Sequence, residues 1–179
     1  MKNFRIKYNI PPHVDVRHAA QGEWYDERKT NEVVIPMIAF IEGGMTIPMG
    51  TLTRNYLRYF RLSPTQCAAN MFKVLGCIEA LNERMNLNLT HHDINWIYNL
   101  QHLKNQGNYL KSKHAEVRMI QCLPVSNKGL KEDFLIFSGR WYDGLPCPVT
   151  EGEPSGELTY LIFTFNFTYY DIPFVVGWY

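Results

Sequence analysis

The chain has 179 residues, 46% of them hydrophobic and 14% aromatic, which is enough to bury a real core and far from the composition of a disordered segment. A formal net charge of +1 argues against a strongly basic nucleic-acid binder and leaves room only for a local patch. The opening residues, MKNFRIKYNI, contain no apolar h-region. Cys67, Cys77, Cys122 and Cys147 include no CxxC pair, so free thiols in a reducing, intracellular (nuclear or cytoplasmic) setting are expected.

In YNIPPHVDVR a double proline precedes alternating Val14 and Val16, the pattern of an extended lead-in. The charged stretch from Gln21 to Glu32 reads as a surface loop. VVIPMIAFIEGG predicts a short helix after Pro36, stopped by Gly43 and Gly44. In TLTRNYLRYFRL, Leu52, Tyr56, Tyr59 and Phe60 recur at helical spacing.

Ser63, Pro64 and Gln66 form a capping-box signature for a second helix, whose apolar stripe is Cys67, Met71, Val74, Leu75, Ile78, Leu81 and Met85. Ala68, Ala69, Gly76 and Ala80 leave room for a close neighbour on that helix. Thr90 and Asp93 repeat the capping pattern ahead of Ile94, Trp96, Ile97, Tyr98, Leu100 and Leu103, which predicts a third helix, apolar on so much of its circumference that it should be central.

After Gly107 the texture changes, and Tyr109-Leu110, Val117 to Cys122 and Phe134 to Phe137 read as strands. The expected fold class is α+β, with a compact helical middle of three main helices followed by a small antiparallel β element. Residues 1–143 form the expected domain. Residues 144–179 read as a Pro/Gly linker and an aromatic strand of period two, LTYLIFTFNFTYY, whose alternation and polar residues argue against a membrane span.

Tests for chemistry return little. SNKG at 126–129 is not a phosphate loop: Lys128 precedes Gly129, and Leu130 stands where a hydroxyl would be needed. Adjacent histidines on a helix point about 100° apart, so His91-His92-Asp93 reads as a solvated helix start rather than a metal site. No G-x-S-x-G elbow exists, and Cys67 and Cys77 read as packing residues. No catalytic, cofactor or metal-binding residue is assigned. Arg54, Arg58 and Arg61 at i, i+4 and i+7 form a basic helix stripe. With Lys128 and Lys131 downstream it is a candidate phosphate-contacting patch, set against the plainer reading of a solvated helix face.

The strings IPPHVDVR, AFIEGGMTIPMGTLTRNYLRYFRLSPTQCAANMFKVLGCIEAL and LPVSNKGLKEDFLIFSGRWY, in that order over residues 8–143, resemble the plant gypsy-type transposon domain family, a retrotransposon-derived group also labelled as a transposase domain. The most specific element runs from Leu123 to Trp141. Leu130 replaces the tryptophan usual in that family, and Glu132-Asp133 makes the turn more acidic. The long coiled coil that often follows is missing, so the resemblance implies a truncated or decayed copy or a fragmentary gene model. A metal-dependent transposase needs three spaced carboxylates, and no such triad, zinc knuckle, D-[ST]-G or Y-x-D-D motif occurs. The resemblance therefore implies a non-enzymatic, gag-like structural or protein-interaction domain, acting through self-association or other proteins. A nucleic-acid-binding module is the alternative, and an enzyme ranks below both.

Overall fold

FLIF at 134–137 is a run with no polar break, so its strand has to be covered on both faces. The computed structural model describes residues 1–20, 32–103, 107–114, 119–124, 133–139, 141, 149–150 and 153–154. In it, strand β1 (Val14–His18), strand β2 (Val33–Pro36) and the FLIF strand form an antiparallel sheet with FLIF in the centre. Leu135 and Phe137 lie on the face shared with Val14, Val16, Val33 and Ile35, while Phe134 and Ile136 form a smaller cluster with Val34 on the other face. The expected C-terminal β element is thus built on N-terminal strands. Val14 and Val16 are buried while Asp15 and Arg17 face solvent, as their alternation predicts.

Helix α1 (Lys2–Lys7) has no strong sequence signal and is anchored by rings. Phe4 and Tyr8 pack against Phe40 at 5.4 and 5.6 Å between centroids, and Phe40 stacks on Phe137 at 5.3 Å. Phe40 belongs to the short helix α2 (Met37–Ile41), which begins after Pro36 as expected. Gly43 follows because a β-carbon there would meet the Ala39 and Ala69 carbonyl oxygens.

Helix α3 (Thr51–Tyr59) buries Leu52, Thr53, Tyr56 and Leu57. The capping box at Ser63 is present, but it caps only a 3₁₀ turn, Pro64–Gln66, and helix α4 (Ala69–Met85) starts later than the pattern predicts. Cys67 and Ala68 between them are extended. The Ala68 N–H donates to the Asn108 carbonyl at 2.8 Å, and Asn108 Nδ2 donates to the Gln66 carbonyl at 3.0 Å. A strand contact made from outside the segment interrupts the helix. Met71, Val74, Leu75 and Ile78 are buried as expected, whereas Met85 is 63% exposed.

The third helix needs a larger correction. Helix α5 is only His91–Ile97, and the chain turns directly into strand β3 (Tyr98–Leu103), paired with strand β4 (Gly107–Ser112). Only Ile94 of α5 is buried, so the helix is peripheral rather than central. The apolar residues that seemed to encircle one helix are shared between a helix face and a strand. Of the strand expected from Val117 to Cys122, Val117 and Arg118 lie outside the described residues, and residues 119–122 run through bends without forming a strand. The FLIF strand is accordingly β5 (Phe134–Gly139), and β6 (Val149–Thr150) pairs with β7 (Glu153–Pro154) inside the expected linker. The Gln21 loop, except for buried Glu32, the SNKG turn and the aromatic strand of the tail lie outside the described residues.

The β3–β4 hairpin is held to α4 by one buried side chain. Asn70 Nδ2 donates to the Leu110 carbonyl at 2.9 Å, and the Leu110 N–H donates back to Asn70 Oδ1 at 3.3 Å. An amide can serve both main-chain groups as a neighbouring strand would. Asn70→Ala is expected to lower stability in urea unfolding by about 1–3 kcal/mol, because it leaves two buried groups unpaired. Asn70→Asp should not rescue it, since a carboxylate has no proton for the Leu110 carbonyl. An unchanged midpoint in the alanine variant would show that the pair is dispensable.

Candidate interaction surface

The candidate surface grows out of the contact between α3 and α5. Thr90 caps α5: the His92 N–H donates to Thr90 Oγ1 at 3.3 Å, while the Thr90 N–H and hydroxyl donate to Asp93 Oδ2 at 2.7 and 2.9 Å. These bonds hold the Asp93 carboxyl below its ordinary pKa. With its entry fixed in this way, α5 presents His91 and His92 to the end of α3.

A chain of rings runs outward from the core. Tyr56, buried, lies 4.8 Å from Phe60; Phe60 meets Tyr59 edge-on at 4.9 Å. Tyr59 lies 4.2 Å from His91, and His91 lies 4.1 Å from His92. Tyr59 is 54% exposed. Trp96, one helical turn beyond His92, is 77% exposed and is the most exposed large apolar side chain among the described residues. Tyr59 belongs to the apolar periodicity of α3, and Trp96 to the helix expected to be central. Nothing in a single sequence separates an outward aromatic from an inward one when the helix carries apolar residues on several sides.

His91 is constrained within this cluster. Its Nε2 is buried and has no hydrogen-bond partner among the described residues. Desolvation first and the neighbouring His92 second push its pKa below the usual histidine value, with Asp93 opposing them. The two histidines and Tyr59 form a cluster of tilted and edge-on rings. Among the described residues no three His, Cys, Asp or Glu side chains are grouped to hold a metal ion.

The arginine stripe is only partly a stripe. Arg58 is exposed on α3 and Arg54 is half-buried, donating to Thr51 Oγ1 at 3.0 Å. Arg61 lies past the helix end with φ of 52°, so its i+7 register is broken although it stays exposed. Lys128 and Lys131 lie outside the described residues. The structure therefore brings Arg58 beside the ring surface through Tyr59, its neighbour in the chain. It does not assemble the whole patch expected from the sequence.

A concavity of about 410 Å³ lies between the loop from Gly43 to Gly50 and α4, lined on the helix side by Lys73, Gly76, Cys77, Glu79, Ala80 and Glu83. Its central carboxylate is already committed. Glu79 accepts from the Leu52 N–H at 2.7 Å and the Thr53 hydroxyl at 3.1 Å, so it caps α3 from another helix. Gly50 leaves room for that carboxylate, which a β-carbon at this position would strike. Cys77 is partly exposed here. Cys67 is fully buried, donates its S–H to the Ser63 carbonyl at 3.3 Å and is held protonated by burial. No helix among the described residues is long and apolar enough to cross a membrane.

Comparisons with family models, with curated proteins and with solved structures find no match for this chain.

Two outcomes follow from these contacts. Glu79→Ala should destabilise the fold by about 0.5–2 kcal/mol in urea unfolding, and Glu79→Gln, which keeps an acceptor, by less. Equal losses would remove the cap as the cause. For His91 the unfolded chain binds the proton more tightly than the folded one, so stability should fall as pH drops below the ordinary value of 6.5. Urea midpoints measured from about pH 7.5 to about pH 5 should fall less in His91→Phe than in the wild type. Parallel curves would show that His91 contributes nothing to acid sensitivity. The Asp93 contribution belongs to a separate window, being present above the usual carboxylate value and lost as pH falls through the lowered one.

Proposed function

We propose that this chain is a non-catalytic, retrotransposon-derived domain of gag-like type that works by assembly or packaging inside the cell, with the ring surface of α3 and α5 as its contact face. The exposure of Trp96, one helical turn from His92 and so on the helix that carries the Tyr59–His91–His92 ring contacts, carries the reading. A folded chain of this size can bury a tryptophan, and clustered exposed aromatics are typical of surfaces that meet a partner. The resemblance of residues 8–143 to the gypsy-type transposon domain family supports the origin. The uses already made of Glu79 and Cys67 support a non-catalytic role, since one is a helix cap and the other a buried, protonated thiol. The free thiols Cys67, Cys77 and Cys122 suit a reducing compartment.

Size-exclusion chromatography with light scattering tests the reading on wild type and Trp96→Ala, each alone and with added nucleic acid. The wild type should run heavier than its 21.0 kDa monomer in at least one condition, and the variant should move back toward the monomer. A wild type that stays monomeric in both, or a heavier species indifferent to Trp96, sinks it.

A further inference from the structure

The ring surface and the charge of the elements around it point to one class of partner. Thr51–Leu62 and Thr90–His114 contain α3, α5 and the β3–β4 hairpin, and their only acidic residue is Asp93. Against it stand Arg54, Arg58, Arg61, Lys111 and Lys113 among the described residues, in a chain whose net charge is only +1. Lys113 is tied to α5 itself, its N–H donating to the Ile97 carbonyl at 2.8 Å. The Asp93 carboxylate is engaged by Thr90. The exposed rings thus lie on elements whose own residues carry an excess of positive charge, with the Glu79 carboxylate of α4 taken up at the start of α3.

We propose that this surface binds single-stranded nucleic acid, with Tyr59, His92 and Trp96 as faces on which unpaired bases stack and Arg58, Arg61 and Lys113 as contacts to the phosphates. This rests on the ring surface being the contact face. Stacking on aromatic side chains accepts any base, because every base has a π-face, and flanking cations hold the backbone that links them. A second protein would match exposed rings equally well, but the accompanying excess of positive charge favours a polyanion. Duplexes should bind poorly, since their bases are stacked inside the helix and closed to protruding rings. The rings, rather than the start of the short helix α5, make the site.

Fluorescence anisotropy with a labelled 12-nucleotide oligo-dT, the matching oligo-U and a duplex of equal length provides the test, at about 20 to 200 mM salt. Both single strands should bind more tightly than the duplex. Affinity should fall with salt, at a slope of about 0.7 per phosphate contacted in log–log form. Trp96→Ala should weaken binding on the order of tenfold, while Trp96→Phe, which keeps a stacking face, should stay near the wild type. Arg58→Ala should flatten the salt slope. No binding at the lowest salt overturns the proposal, as does duplex binding equal to single-strand binding and indifferent to Trp96. If Trp96→Ala instead abolishes self-association while the oligonucleotides never bind, the contact face stands and its nucleic-acid partner falls. If it changes neither, both readings fall.

Discussion

Asn108 reaches from strand β4 to the main chain at Gln66 and Ala68, and the rest of the fold is arranged around that join. The pattern from Ser63 to Met85 favours one continuous helix, yet two residues, Cys67 and Ala68, are drawn out straight to meet the strand. The break lets the 3₁₀ turn pack against β2 and sends α4 off on its own axis, with Met71, Val74, Leu75 and Ile78 facing the core. That path brings Glu79 to the start of α3. Once its first turn is capped, α3 ends with Tyr59 against His91, so a hydrogen bond on one side of the molecule sets the position of the ring surface on another.

Polar side chains make these joins because buried main-chain groups must be paired. Asn70 satisfies both groups of Leu110, and Asn82 does the same for Leu89, donating to its carbonyl and accepting from its N–H, each at 2.9 Å. The second pair closes the turn after α4, where Asn86 adopts the left-handed conformation that ends the helix. An intramolecular hydrogen bond contributes only about 1 kcal/mol net, whereas an orphaned buried group costs about 1–3 kcal/mol. The joins therefore act more through the penalty for alternative packings than through their own strength. They hold one arrangement of α4, the hairpin and α3.

What could be read from the amino-acid pattern follows the range of each signal. Capping boxes are local, and both exist, at Ser63 and at Thr90. The uninterrupted apolar run at Phe134 announces a strand covered on both sides, which is what β5 is. The start of α4 and the end of α5 do not follow the helical pattern: the first is set by contact with Asn108, far away in sequence, and the second by the pairing of Tyr98 with Ser112 in the next strand. At Tyr98 the chain leaves the helix without a glycine or proline to mark the place, since hydrogen bonds to β4 replace those of the helix. Helix α1 is not legible in the pattern for a related reason: its anchors, Phe4 and Tyr8, are only two residues in a short polar segment. The arginine spacing assumed a helix that continues to Arg61, and the positive φ there breaks it.

The same distinction decides how the candidate surface is weighed. A row of arginines on an exposed helix is what solubility alone would produce, so by itself it says little about a partner. An exposed tryptophan is different, because leaving apolar surface in water forgoes about 25 cal/mol for each Å² that folding could have covered. Ile94, two residues before Trp96, is fully buried, so α5 has an inward face with room for apolar side chains. Trp96 stands on the opposite side, one turn from His92, which continues the ring chain from Tyr59. The rings therefore raise the arginines above background, and the arginines in turn narrow what the rings would meet.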